Sequence, residues 1–152
     1  MMPRVTIALR LATPDDFAEV FPRTRALNDH EAIAVTDAVL EAALRRLLGD
    51  GSLGGVWLAL RDGRVIGYAL VAFAYDLEFG GRDAWLTELW IDDAARGSGS
   101  GRAVIEALDA ELRAHDIRAL HLQVRPENPA KRLYERAGFA TSPRQIMTRR
   151  LT

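Results

Sequence analysis

The sequence predicts one α/β (α+β) domain whose first half is mostly antiparallel, and three observations carry that prediction. Asp62-Gly63 separates two apolar runs and is a strong hairpin turn signal. Residues 36–48, and the run that ends at His115, repeat apolar residues at helical spacing. A Gly/Ser loop, Arg96-Gly97-Ser98-Gly99-Ser100-Gly101, joins a strand pattern to the second of these helices. No repeat or linker interrupts the 152 residues, so the chain reads as a single domain over 1–152.

The elements follow in order. Val5, Ile7 and Leu9 alternate with Thr6, Ala8 and Arg10, which predicts a half-buried first strand. Thr13-Pro14-Asp15-Asp16 opens a helix, with Thr13 as cap, Pro14 in the first turn and two acids on the positive end of the dipole. The helix over 36–48 carries Val39, Leu40, Ala43, Leu44, Leu47 and Leu48 on one face, and Gly49 is its expected stop. Residues 54–61 and 64–74 are two strands, the second extended as far as Phe79 before Gly80-Gly81 breaks it. The strand over 83–91 holds Trp85, Leu86, Leu89, Trp90 and Ile91, too apolar on both faces for an edge. Val104, Ile105, Leu108 and Leu112 mark the buried stripe of the next helix. A short strand over 120–124 and a loop with a short helix over 126–137, closed by Gly138, come next. Phe139 onward returns as strand, with 145–151 the last. The expected order is β-α-α-β-β-β-α-β-α-β-β.

Composition excludes several function classes. A net charge of −1 and a pI of about 6.3 argue against a nucleic-acid binder. The absence of cysteine removes disulfides, thiolate zinc sites, a cysteine nucleophile and an enzyme-bound thioester, and no metal site is expected. Lys131 is the only lysine, so Schiff-base chemistry would rest on it alone. The apolar stretches 56–60 and 65–75 are too short, or interrupted by Gly67, to span a membrane. Residues 1–10 lack a signal-peptide core, which predicts a cytoplasmic protein without a membrane partner.

The Gly/Ser loop is the most informative stretch. Three glycines alternating with serines ahead of a helix can bring successive backbone N–H groups to an anion, and the helix N-terminus adds partial positive charge. The natural ligand is a phosphate or pyrophosphate. A Walker loop needs Gly-Lys-Ser/Thr, which the chain lacks. The Rossmann spacing G-x-G-x-x-G also fails, because it meets Arg102 or Val104 at its last position.

Arg96-Gly97-Ser98-Gly99-Ser100-Gly101 matches the R/Q-x-x-G-x-G/A signature of the general N-acetyltransferase (GNAT) superfamily, and Leu89-Trp90-Ile91 resembles that family's central strand. Asn128 to Phe139 is similar to its N-x-x-A-x-x-L-Y-x-x-x-G-F block through Ala130, Leu133, Tyr134, Gly138 and Phe139. The asparagine departs: the family position is Glu127 here, and Asn128 stands one residue closer to the tyrosine. The resemblance spans essentially the whole chain and is strongest over 85–139. It implies a GNAT-like mixed sheet of about 6–7 strands flanked by about 4 helices and splayed at its central strands.

The resemblance also implies acetyl-CoA as co-substrate and a primary amine, on a small molecule or a peptide, as acceptor, with direct transfer in a ternary complex. The pyrophosphate would sit on the amides of Gly97, Ser98, Gly99, Ser100 and Gly101, with Arg96 and Arg102 adding charge. The pantetheine arm would pair with Leu89, Trp90 and Ile91. Asn128, Lys131 and Tyr134 complete the implied cofactor set. The Leu89 N–H takes an oxyanion-hole role, and Tyr134 stands where the family places the acid that protonates the departing thiolate.

The base is less defined. The family often places a glutamate nine residues before the motif arginine, and that position is Thr87, with Glu88 beside it. Alternation puts Glu88 on the opposite face unless a bulge shifts the register. His30, Glu31, Asp76 and Glu78 are further candidates, while His115 and His121 read as structural or exposed. Asp29, Glu31, Asp76, Glu78 and Asp83 fall in segments flanking the family's acceptor site, which favours a cationic amine. A homodimer is compatible with the resemblance. The competing function is a non-catalytic acyl-CoA-binding sensor or regulatory module: Tyr134 favours catalysis, and Thr87 in place of an acid favours the module.

Overall fold

A computed structural model describes residues 4–152. Thr13 sets the N-terminal geometry. Its hydroxyl accepts from the Asp15 N–H, and the Asp16 carboxylate reaches back to the Thr13 N–H at 2.8 Å. This capping box closes a 3-10 turn, Pro14–Asp16, that runs into helix α1, Phe17–His30. Thr36 caps helix α2, Asp37–Gly49, through the Val39 N–H. Gly49 closes this helix from within, and the chain turns at Asp50. Leu44 is buried, but Val39, expected on the buried face, is 59% exposed.

Strands β1 (Ala8–Leu11), β2 (Gly54–Arg61), β3 (Arg64–Asp76), β4 (Gly81–Ile91) and β5 (Leu120–Leu122) form one sheet in the order β1-β2-β3-β4-β5. The first four are antiparallel neighbours, and β5 joins β4 in parallel. Asp62 and Gly63 both take positive φ, the type I′ requirement that the hairpin signal implied. The first strand is shorter than expected, because the ladder starts at Ala8↔Leu60. Strand β3 stops at Asp76, where a 3-10 turn over Leu77–Phe79 takes the chain to Gly80 at φ +74°.

Two cores flank the sheet. Trp57, Ala69, Val71, Ala84 and Leu86 face helix α3, Ser100–Ala114, through Val104, Leu108 and Leu112. Val56, Leu58, Tyr68 and Leu70 face α1 and α2 through Val20 and Leu44. Helix α4, Ala130–Arg136, follows β5.

The sheet has five strands among the described residues, rather than the six or seven expected. The strand expected over 120–124 pairs only at Leu120–Leu122, and those expected from Phe139 and over 145–151 join no ladder. The tail contradicts itself as a strand. Pro143 has no ladder donor. Ile146 and Met147 are consecutive, so one of them faces water on either choice of face, and both are exposed.

Candidate active site

The site begins with one extra residue in β4. Leu70 pairs with Glu88 and Val71 with Leu86, so Thr87 has no partner and forms a β-bulge. Its hydroxyl donates to the Leu70 carbonyl at 3.3 Å. Directly opposed residues share a face, so Glu88 and Trp90 join Leu70 and Tyr68 on the α1/α2 side. Beyond the bulge β4 runs on to Ile91, whereas its pairing with β5 ends at Leu86↔Leu122. The two strands therefore part, and one edge of β4 lies open.

That edge presents backbone groups in a known phase. The Asp92 N–H donates to the Ile66 carbonyl of β3 at 2.7 Å. Backbone groups alternate sides along a strand, so Trp90 also faces β3, and the N–H groups of Leu89 and Ile91 face the gap. The Ile91 carbonyl there accepts from Arg96 Nε at 2.7 Å.

At the end of β4 the loop is held open by its own side chains. Ser98 and Ser100 hydroxyls both donate to the Ala95 carbonyl, at 3.1 and 3.0 Å. Gly97 and Gly99 sit at φ +78° and +80°, and a Cβ at either would meet no atom within 4 Å. Only glycine adopts this turn without strain. No side chain caps α3, so its first N–H groups point outward from the loop. This donor set suits a pyrophosphate. Gly101 is different: a Cβ there would stand 3.1 Å from Leu133 Cδ2, so α4 rests on the start of α3.

The expected cationic ligands are already engaged. Arg96 pairs with Asp93 at 2.6 Å and lies over the Trp90 ring at 4.5 Å. Arg102 pairs with Glu106 at 3.1 Å, and Lys131 lies 3.9 Å from Glu135. Asn128 Oδ1 accepts from the Ala130 N–H at 2.9 Å, which starts α4. Its position in the motif is thus used locally. Arg61, which the motifs do not single out, donates to Ser98 Oγ at 3.4 Å.

Tyr134 stands on α4, edge-on to Phe139. Burial, and then the Glu31 carboxylate, raise its phenol above the ordinary value. Glu88 Oε1 accepts from the Tyr68 hydroxyl at 2.7 Å, and Tyr68 is fully buried. Burial pushes the Glu88 carboxyl up, and the Tyr68 bond pulls it partly back. Burial and the same carboxylate raise the Tyr68 phenol well beyond its ordinary range, so it stays a donor. The Thr24 hydroxyl is close enough to favour the phenolate, yet it completes no hydrogen bond.

The other acids are mostly engaged. Asp29 pairs with Arg25 at 3.0 Å and Glu78 with Arg144 at 2.7 Å, while Asp76 accepts from the Glu78 N–H. His30 lies edge-on to Trp90. His115 is structural as expected, packed on Trp57 and Phe73. His121 instead lines a cavity that reaches Tyr134. The sequence carried no signal for Tyr68, because only the strand register brings it to Glu88. No group of metal-ligating residues occurs among the described residues, and no described helix is long and apolar enough to cross a membrane.

No curated protein is significantly similar to the chain. An integron cassette protein from the mobile metagenome of Cole Harbour Salt Marsh has a similar structure, with TM-score 0.82 and 24% identity over 95% of this chain and 90% of that one. An aminoglycoside N-acetyltransferase solved in complex with CoA gives TM-score 0.78 and 18% identity over the whole of both chains. A ribosomal-protein-alanine N-acetyltransferase from Brucella melitensis biovar Abortus 2308 gives 0.73 and 19% over 95% of this chain and 99% of that one. At these identities the likenesses speak to fold. The model of the acetyltransferase (GNAT) family matches residues 17–139, most of the chain, and the protein belongs to that family.

Proposed function

We propose that the protein is an acetyl-CoA-dependent N-acetyltransferase acting on a primary amine by direct transfer. The observation that carries this reading is the bulge at Thr87, which opens the β4 edge at Leu89 between the Gly97–Gly99 cradle and Glu88. The cradle and the exposed N-terminus of α3 hold the pyrophosphate, with Arg61 and Arg102 beside it. The pantetheine arm adds to the open edge of β4.

In the reaction the acceptor nitrogen attacks the thioester carbon. Glu88 takes the ammonium proton first, through Oε2, because Oε1 is committed to Tyr68. The Leu89 N–H stabilises the tetrahedral oxyanion. The carbon–sulfur bond then breaks, Tyr134 gives its proton to the thiolate, and the surplus proton on the new amide nitrogen passes to the Tyr134 phenolate, which restores the acid. A raised phenol is protonated at any physiological pH, and a thiol pKa near 8.5 sets an uphill but short transfer. Asn128 and Lys131 position α4 and the cofactor. One domain over 1–152, a cytoplasmic location and a homodimer belong to the same reading.

An aminoglycoside N-acetyltransferase, and an aminoglycoside acetyltransferase in complex with sisomicin, are among the similar structures, which supports an amine acceptor. The test is a panel of amines with acetyl-CoA, read by free thiol. Acetyl-CoA should also raise Tm where ATP and NAD at equal concentration do not. Equal shifts with all three would overturn the cofactor assignment. A non-catalytic acyl-CoA sensor is the second reading, favoured by Thr87 in the acid position and by the commitment of Glu88 to Tyr68. It predicts the Tm shift without thiol release.

A further inference from the structure

A cavity of about 1200 Å³ opens beside β4 and β5 and reaches Tyr134. Its walls are rich in rings. The chain has five Phe, three Trp and three Tyr, and five of these, Tyr75, Phe79, Trp85, Tyr134 and Phe139, line this one cavity. The His121 ring lies among them, 5.1 Å from Phe79 and 4.8 Å from Trp85, centroid to centroid. Asp83, only 3% exposed, fixes that imidazole by accepting a 3.0 Å hydrogen bond at Oδ2 from His121 Nε2. The acetyl-transfer steps make no use of Asp83. A buried carboxylate is expensive unless bonded, and here its bond sets the orientation of one ring between two others.

The shelf shares a face with the reacting groups. Ala84 and Leu86 belong to the α3 core, so Asp83 and Trp85 alternate to the opposite side, the side of Glu88. Trp85 and Glu88 are three residues apart, roughly 10 Å along a strand.

We propose that this shelf binds an aromatic ring of the acceptor, and that the acceptor is an arylalkylamine. Its ring stacks on Trp85 and His121, and a short alkyl chain carries its amine to Glu88 and Tyr134. The proposal rests on the acetyltransferase reading and names the substrate class for it. Offset or edge-to-face stacking on preset rings rewards an aryl group over an aliphatic one of equal size. A polycation is a poorer match. Glu78 is paired with Arg144, Asp83 with His121 and Glu135 with Lys131, so most acids of this wall are already engaged.

The test uses phenethylamine, 2-cyclohexylethylamine and putrescine. Binding of each to the protein saturated with CoA is measured by calorimetry, and turnover with acetyl-CoA by thiol release. Phenethylamine should bind about 2–10-fold tighter than its cyclohexyl counterpart, with putrescine behind both. Trp85→Leu keeps apolar volume and should erase that aromatic preference without changing CoA affinity. Tyr75→Ala, at a position 69% exposed, should weaken phenethylamine in the same direction. The shelf falls if putrescine matches phenethylamine, if phenethylamine does not bind, or if Trp85→Leu weakens all three amines alike. Putrescine acetylated without any aryl preference leaves the reaction standing and removes the shelf. Phenethylamine bound with the expected preference, but no thiol released from any amine, leaves the shelf standing and removes the acetyltransferase reading.

Discussion

Glu88 is held between two opposing influences, and both can be removed one at a time. Burial raises its carboxyl, and the Tyr68 hydroxyl lowers it by favouring the charged form. No charged side chain contributes to the balance. Tyr68→Phe removes only the lowering influence, so the acidic limb of the kcat/KM profile should move to higher pH while CoA affinity holds. An unmoved limb would show that Tyr68 does not tune the base. Glu88→Gln should lose the limb altogether. The same variant should be more stable than the wild type at pH 7. A carboxyl raised in the folded state contributes stability that is complete below its unfolded pKa and lost as pH rises through the folded value. At pH 7, above the unfolded carboxyl's pKa, the buried Glu88 carboxyl is therefore a burden that glutamine lifts, and at pH 4 the gain should shrink away. Thermal melts at the two pH values check this, at about 2–4 °C per kcal/mol for a domain of this size. Tyr134→Phe tests the acid: kcat should fall about 10²–10⁴-fold with little change in CoA affinity. Full kcat in that variant would remove Tyr134 from the proton transfer.

At the scale of elements, the glycine loop separates into two kinds of position. Gly99 needs its positive φ and has open space around it, so Gly99→Val should strain the turn and weaken CoA binding. Gly101 has an ordinary φ, and its missing Cβ makes room for Leu133. Gly101→Val should displace α4 and Tyr134 with it, lowering kcat as well as affinity. Equal effects of the two variants on kcat, at saturating acetyl-CoA, would contradict this division. The loop and the α4 block were legible in the sequence because their constraints are local: a positive φ, a close approach, a capped turn. The hairpin at Asp62-Gly63 was legible for the same reason. Tyr68, Asp83 and His121 were not, since their roles depend on which strands adjoin and in what register. The tail misled for the converse reason. Residues 145–151 have strand-like composition, but propensity without a ladder partner does not make a strand.

At the scale of the whole molecule, five strands are enough to place two cores, one binding loop and an opening between β4 and β5. The opening depends on Thr87, and its effect can be restated as a matter of chain length. Removing Thr87 leaves Leu86 followed directly by Glu88, which restores strict alternation with Val71 and Leu70. Every side chain keeps its face, so both cores survive the deletion. What goes is the bend, and a straightened β4 can continue its parallel pairing with β5 past Leu86↔Leu122. The deletion should thus give a folded protein with a higher Tm that has lost acetyl-CoA binding, whereas Thr87→Ala, with the residue count kept, should retain it. On this account Thr87 works as a spacer. One residue's worth of excess length keeps the sheet from zipping shut, and the protein gives up stability to stay open.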